Sequence, residues 1–303
     1  MNQYVLNSVF SVRRLCTGAF ALVIILLMGW PAFAGENIVL QSMRIKPYDM
    51  GYEGFKKLSG NRTKRFILSE MKGTNPLKIL KKEKPDLIYA IGADSLYLVK
   101  DLNIPVIYST IFSPERIIKN RNIKGISMSL SKETVLSEIR KRLNFKNIGF
   151  IHNFSEDVRE LRKAAKANNF NLFLSKSENS GDYIKALKKI KGNIDILLLS
   201  PSRALMSTEV IEYLFLTAME NKIMVVAFSG KYAEMGALLS IEPDLYNVGK
   251  RAFQLSEIIK SGKKIKRDSL HASKVNVIVN LNVARILNIK LTDNLVKNAH
   301  LIK

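Results

Sequence analysis

Lys84–Thr110 reads KPDLIYAIGADSLYLVKDLNIPVIYST. Lys84-Pro85-Asp86 stops a helix and turns the chain into Leu87–Ile91, an unbroken apolar run of the kind buried on both faces of a parallel sheet. Gly92 ends that run, the spacing over Asp94–Leu102 predicts a helix, and Ile104–Tyr108 is a second buried strand. Two parallel strands need a crossover between them, and a helix is the usual one. This stretch is therefore one unit of a doubly wound α/β sheet.

The same rhythm extends in both directions. Upstream, strands are predicted at Ile38–Gln41 and Phe66–Leu68, with helices over Met50–Leu58 and Asn75–Glu83. Downstream the pattern restarts: a helix over Lys132–Leu143, a strand at Ile148–Ile151, a helix over Glu156–Ala167, a strand at Leu172–Leu174 and a helix over Gly181–Ile190. Asp195 then leads into the apolar run Ile196–Leu199, as Asp86 leads into Leu87–Ile91. A helix over Thr208–Asn221 and a strand at Met224–Phe228 follow. The segments IPVIYST and IMVVAFS close the two halves in matching style, an echo of architecture without a repeated motif. The expectation is two lobes: residues 35–110 plus 240–303, and residues 125–238. Hinge crossovers are expected near 111–129 and 237–243, around Gly125–Ser129 and Ala237–Pro243. Open α/β sheets bind ligands beyond the carboxyl ends of their strands, so two such edges face to face make a jaw.

Residues 1–34 read as an export leader. Arg13 and Arg14 precede the apolar run Gly18–Trp30, Pro31 breaks it, and Ala32-Phe33-Ala34 offers a small-x-small cleavage site after Ala34. The run is about 13 residues, short of the roughly 20 that span a bilayer. Cys16 lies before it, poorly placed for lipid modification. The mature chain is then free, without thiols, in the periplasm of a two-membrane bacterium, and must rely on buried apolar surface for stability.

Charge is the strongest compositional signal. Lys+Arg 48 against Asp+Glu 26 gives +22. The lysines are scattered over helices and helix ends, without interleaved aromatics, so they read as a solvated surface and no nucleic-acid partner is expected. Catalysis fails on inventory. His152, His271 and His300 have no metal-ligand spacing, and G-x-S-x-G, G-x-G-x-x-G and Walker patterns are absent. No metal, no cofactor and no enzymatic activity are expected.

Four stretches resemble a known family: PYDMGYEGFK (Pro47–Lys56), KPDLIYAIGADSLYLVKDLNIPVIYSTIFSPE (Lys84–Glu115), GALLSIEPDLYNVGKRAFQLSEIIKSGKKI (Gly236–Ile265) and VNLNVARILNIKL (Val279–Leu291). Their order and spacing are similar to those of ABC-transporter solute-binding proteins of the class I periplasmic-binding-protein fold, relatives of the aromatic-amino-acid binders. The resemblance implies a monomer with two doubly wound parallel-sheet lobes joined by a multi-strand hinge. It would close on a small organic solute, an amino acid or related molecule, and deliver it to an inner-membrane ABC permease. A ligand sensor docking onto a histidine kinase or chemoreceptor is the alternative. Asp94 in Gly92-Ala93-Asp94-Ser95 and Arg203 in Ser200-Pro201-Ser202-Arg203 depart from the family pattern at places that would touch ligand.

A cleft for a zwitterion needs an anion grip, a cation partner and a surface for the side chain. Strand-to-helix junctions supply the first: Ser95 in the first lobe, Asn153 with Ser155 and Ser200 in the second, where Arg203 can hold a carboxylate. Asp94 can receive an ammonium, or serve as an ordinary N-cap; Arg203 can equally be a surface charge. Tyr48, in a loop past the first strand, and Phe112 offer ring faces. Thr110 and Ser229 end the last strand of each lobe and offer polar contacts.

Overall fold

A computed structural model of the protein describes residues 36–112, 114, 117–118, 122–153, 156–263, 265 and 268–303. The leader read at residues 1–34 and the candidate Ser155 lie outside the described residues. Among these, no helix is long and apolar enough to cross a membrane.

The first lobe is a six-stranded, all-parallel sheet. Its strands are β1 (Asn37–Gln41), β2 (Thr63–Ile67), β3 (Leu87–Ile91), β4 (Val106–Ser109), β5 (Ile123–Ser127) and β11 (Ser269–His271), in the order β11-β5-β4-β3-β1-β2. β1, β3 and β4 are buried along their whole length, as continuous apolar runs require when helices cover both faces. The helices are α1 (Lys46–Ser59), α2 (Pro76–Glu83) and α3 (Ala93–Val99), with α9 (Leu245–Lys260) returning late in the chain. On one face Phe55 stacks on Tyr89 with ring centroids 4.8 Å apart and meets Phe253 edge-on at 5.4 Å.

The seam between α1 and α9 is set by glycine. A Cβ on Gly249 would lie 1.9 Å from the Gly51 carbonyl oxygen, and one on Gly54 1.9 Å from that of Tyr246. The two helix backbones touch, and the obstacle on each side is main chain. That is the physical content of the glycines in PYDMGYEGFK and YNVGK.

The second lobe is a seven-stranded sheet of β6 (Asn147–His152), β7 (Asn171–Lys176), β8 (Ile196–Leu198), β9 (Met224–Ala227), β10 (Leu239–Pro243), β12 (Val275–Asn280) and β13 (Ala299–Ile302), ordered β13-β12-β10-β9-β8-β6-β7. Around it pack α4 (Lys132–Arg142), α5 (Arg159–Ala167), α6 (Ser180–Ile190), α7 (Thr208–Glu220), α8 (Gly230–Met235), α10 (Leu281–Ile286) and α11 (Asp293–Val296). Ser131, Asn179, Ser207, Asn280 and Thr292 each cap a helix start with a side-chain oxygen; such caps contribute about 1 kcal/mol each.

Three expectations are corrected. Residues 240–303 do not all complete the first lobe: α9 and β11 do, while β10, β12 and β13 extend the second sheet. β12 pairs antiparallel with β10, Leu239 opposite Val279, and its Val277 and Val279 fill the second core beside Leu239 and Ile241. The stretches expected as crossovers contain the strands β5 and β10, and the chain leaves each lobe just past them. The chain passes between lobes three times, from β5 to α4, from β10 to α9 and from β11 to β12. Consequently β4 and β9 are not the last strands of their lobes. Finally, the helix expected from Met50 begins at Lys46, with Pro47 in its first turn. Proline lacks only an N–H that has no partner there, so Tyr48 sits on a helix and not in a loop.

Candidate functional site

All three crossovers leave or enter at the carboxyl edges of the main parallel strands, which brings those edges opposite one another. They meet where the Phe112 ring, just past β4, packs edge-to-face on Phe228, just past β9, with centroids 6.5 Å apart and planes at 83°. Phe228 in turn leans on Tyr232 of α8 at 5.0 Å. Beside the aromatic pair lies a small recess of about 80 Å³, partly open to solvent. Met128, Leu130, Val135, Leu198, Ile241 and Pro243 line it, and Lys132 and Ser200 stand at its rim.

The first-lobe wall is tightly tied. Gly92 has φ +93° and caps α3; a Cβ there would meet Ser42 Oγ at 2.6 Å and the Tyr48 ring at 2.8 Å. The Tyr48 ring thus lies across the β3–α3 turn. Burial, and then the nearby Asp94 carboxylate, push its phenol above its ordinary value, so it is a neutral hydrogen-bond donor at physiological pH. Asp94 is exposed on the first turn of α3 without a capping bond. Its chemistry fits a cation partner.

Thr110 follows β4 at φ +62°, a conformation β-branched residues avoid. Its hydroxyl is 3.1 Å from Ser109 Oγ, which is 2.6 Å from the buried Tyr89 hydroxyl. A relay of hydroxyls from the core therefore fixes Thr110 at the wall. Such backbone strain persists where surroundings over-determine it, commonly at binding sites.

Ser95 does not face the cleft. It is fully buried; its hydroxyl donates to the Ile91 and Gly92 carbonyls at 2.9 and 2.8 Å, and its N–H donates to Ser42 Oγ at 3.0 Å. Both the hydroxyl and the N–H of Ser95 are already engaged, and Ser95 buttresses the wall from behind. Ser42 is the residue missed: it lies one place past β1, and nothing in the sequence distinguishes it from any other loop serine.

The second-lobe wall is looser. Ser200 Oγ reaches Glu156 Oε1 only at 3.4 Å, and Lys132 Nζ approaches the same oxygen at 3.5 Å. Both chains are about one-quarter exposed. Lys132 also sits 5.0 Å above the Phe150 ring. Neither Lys132 nor Glu156 was expected; the first belongs to a helix start in the crossover and the second to a junction read only for its serine. Arg203 is exposed, with no ion pair among the described residues, and the Ser202 hydroxyl beside it is buried without a partner. Ser229 precedes α8 without capping it, while Glu242 accepts from the Gly230 N–H at 2.8 Å. Asn153 is exposed at the end of β6, and its carbonyl lies 2.9 Å from His152 Nδ1. The structure thus gathers Tyr48, Asp94, Thr110 and Phe112 on one edge, and Asn153, Ser200, Arg203 and Ser229 on the other.

Comparison with known proteins fits this geometry. Residues 50–303 match the model of the family described as ABC transporter substrate binding protein. A tyrosine-binding protein of Clostridioides difficile (strain R20291) is 29% identical over 199 residues, 60% of this chain and 57% of that protein, so the match spans a little over half the relative's length. Among solved structures, the ligand-free, open form of a substrate binding protein with adhesive properties from Clostridium difficile superposes with a TM-score of 0.68. It is 21% identical, and the match covers 89% of this chain and 99% of that one. An ABC domain in complex with L-Trp from Streptococcus pneumonia superposes at 0.57 with 18% identity, over 88% and 100% of the two chains. The likeness in fold, with two parallel-sheet lobes, is that of a class I periplasmic binding protein. With five-sixths of its length matched by one family model, the chain belongs to the ABC transporter substrate binding protein family.

Proposed function

We propose that the protein is the periplasmic receptor of an ABC import system, a monomer that closes its two lobes on a small organic solute, an amino acid or close relative. It then presents the closed form to an inner-membrane permease. The observation that carries this is the cleft itself: two carboxyl sheet edges, joined by three crossovers, facing each other over an apolar recess with polar groups on both walls. A solute touching both walls favours the closed state by its extra contacts there, and the equilibrium shifts by that difference in affinity. The family is one of binding proteins whose members work outside the cytoplasm. The named ligands of its relatives, tyrosine and tryptophan, support an amino-acid class.

Tyr48, Asp94, Thr110 and Phe112 would contact the solute from the first lobe, and Asn153, Ser200, Arg203 and Ser229 from the second. Isothermal titration with the twenty amino acids, paired with small-angle scattering, tests the reading. Saturable binding with a fall in radius of gyration is the expected result. Failure of all amino acids, purines and sugars to bind would remove it.

A further inference from the structure

A second hollow lies outside the cleft, at the amino-terminal end of β6 and so at the sheet edge opposite the one that faces the first lobe. Its volume is about 570 Å³, within the roughly 300–1,000 Å³ of small-molecule sites. Arg140, Lys141 and Arg142, at the end of α4, line it with Asn144 on one side, and Asn288 and Lys290, past α10, on the other. Among the described residues no carboxylate lines it; Asp293 is exposed on α11, outside the lining. Glu138, one turn back on α4, offsets only one of the four positive charges, shared between Lys141 at 2.7 Å and Arg142 at 3.5 Å. Arg140 donates instead to the carbonyls of Asn168, Phe145 and Asn169 at 2.9, 2.9 and 2.8 Å. Arg142 is the informative member. Its side chain is only 9% exposed, and a buried guanidinium is costly unless its charge and its donors are matched. Its Nη1 donates to the carbonyls of Leu295 and Lys297 at 3.0 and 2.9 Å. Its Nη2 reaches Glu138 only at 3.5 Å, and its Nε is buried without a partner. The Nε–Nη2 edge, which grips an oxyanion through two parallel N–H bonds, is thus the edge left under-used.

We propose that this hollow is a second ligand site, separate from the solute cleft, for a small polyanion bearing two phosphate groups. The Nε–Nη2 edge of Arg142 is its fork, and Lys141 and Lys290 flank it. A phosphate group carries roughly −1.5 to −2 charges near neutral pH. Two of them match the three cations that Glu138 leaves over; one alone does not. An arginine suits the buried position because its planar fork fits phosphate geometry and stays charged there, whereas the exposed lysines act as point charges. The amides of Asn144 and Asn288 add neutral donors for the remaining oxygens. The same chemistry is offered by a free diphosphate and by a lipid headgroup with two phosphates. The site stands whatever solute the cleft takes.

Calorimetry on the full mature chain with pyrophosphate and inorganic phosphate, joined to flotation with phosphatidylcholine vesicles with and without cardiolipin, provides the test. Pyrophosphate is expected to bind at one site, at least about tenfold tighter than inorganic phosphate. Lys290→Glu should weaken it at least about tenfold. Lys57→Glu, the same reversal on the exposed side of α1, should leave it unchanged. Arg142→Lys, checked for a cooperative melt, keeps the charge but loses the fork and should also cost about tenfold. Retention on cardiolipin vesicles that Lys290→Glu abolishes would assign the site to a lipid headgroup; pyrophosphate binding that Lys290→Glu abolishes, without retention, would assign it to a free diphosphate. Equal losses in Lys57→Glu and Lys290→Glu would show attraction to net charge alone and overturn the site. Parental affinity in Arg142→Lys would overturn the fork. If neither pyrophosphate nor cardiolipin vesicles bind in a way that depends on Lys290, the proposal falls, and the receptor reading of the cleft is untouched.

Discussion

The two walls of the cleft are built on opposite principles. In the first lobe the serine and threonine hydroxyls at the sheet edge are engaged, with Asp94 exposed among them: Ser42 holds the Ser95 N–H, Ser95 holds two carbonyls, and Tyr89 and Ser109 hold Thr110. In the second, Ser229 and Arg203 make no side-chain hydrogen bond or ion pair among the described residues, Ser202 Oγ is buried without a partner, and Glu156 is held only at 3.4–3.5 Å. An engaged wall is pre-organised and contributes shape; a loose wall keeps polar groups whose best partner is still to arrive. The first costs little ordering on binding and the second supplies most of the differential contact on closure. The same contrast runs through the cores. The first-lobe seam between α1 and α9 is backbone against backbone, whereas Gly149 in β6 faces the side chains of Ile194 and Ile190.

The largest expected effect tests that contrast of seams. Gly249→Ala places a methyl 1.9 Å from the Gly51 carbonyl oxygen and 2.8 Å from the Phe55 nitrogen. Neither can move without parting the helices, so the loss is about 3 kcal/mol or more. Gly149→Ala meets Ile194 Cδ1 at 2.6 Å, Ile190 Cδ1 at 3.0 Å and Ile194 Cγ2 at 3.1 Å, side-chain atoms that can shift where main chain cannot, and should cost about 1–2 kcal/mol. Urea melts of both variants measure the difference. Similar losses would mean that the two lobes tolerate volume alike.

A smaller effect separates the walls themselves. Ser42→Ala leaves the buried Ser95 N–H without its acceptor, and an unpaired buried donor costs about 1–3 kcal/mol. Ser229→Ala and Arg203→Ala delete groups with no side-chain partner among the described residues and should shift stability by less than about 0.5 kcal/mol. On the proposed function those two should instead lower solute affinity, Arg203→Ala by about tenfold if it grips a carboxylate. Stability and affinity measured side by side give the result. A Ser42 variant with full stability and lost affinity would reverse the assignment of the walls.

How much of this could be read from the sequence follows the same division. Leu87–Ile91 and Ile196–Leu199 announce buried parallel strands because burial on both faces leaves no polar position to hide them. The doubly wound pattern followed. What could not be read was which sheet a late strand joins. Val275–Asn280 is as good a strand for either lobe, and its place beside β10 is decided by a register across some forty residues. Strand-to-helix junctions could be placed at the two sheet edges from sequence, since that is where such junctions must lie. They could not say which groups were already engaged: Ser95, inside the first turn of α3, turns its hydroxyl back onto the Ile91 and Gly92 carbonyls, and its N–H is taken by Ser42, 53 residues away. Lys132 and Glu156 escaped notice because a lysine at a helix start and a glutamate in a loop are ordinary until the fold brings them together.

The smallest expected effect concerns acid. At the outer end of the first-lobe wall, Asp49 lies with Gln41 and Arg65, which itself stacks 4.1 Å from the Tyr52 ring. Burial pushes the Asp49 carboxyl up, but hydrogen bonds from Gln41 and Arg65, with the charges of Arg65 and Arg44, outweigh it, and the net shift is below the ordinary 3.8. A carboxylate depressed in the folded state stabilises the fold above its unfolded value, near 3.9. That contribution disappears as pH falls through the lower folded value. Asp49→Asn should therefore cost stability by a constant amount above about pH 5, a gap that closes as pH falls through the depressed folded value. The Asp49 side chain is one-third exposed, and solvent screening holds the difference to a few tenths of a kcal/mol, less at high salt. Chemical melts at pH 3, 4, 5 and 7 measure it, and a gap that widens toward acid would show the cluster to be strained rather than stabilising. Because this cluster belongs to the engaged wall, its loss should leave solute affinity at neutral pH where it was, which is the finest test of the division between a wall that shapes the cleft and a wall that reads its contents.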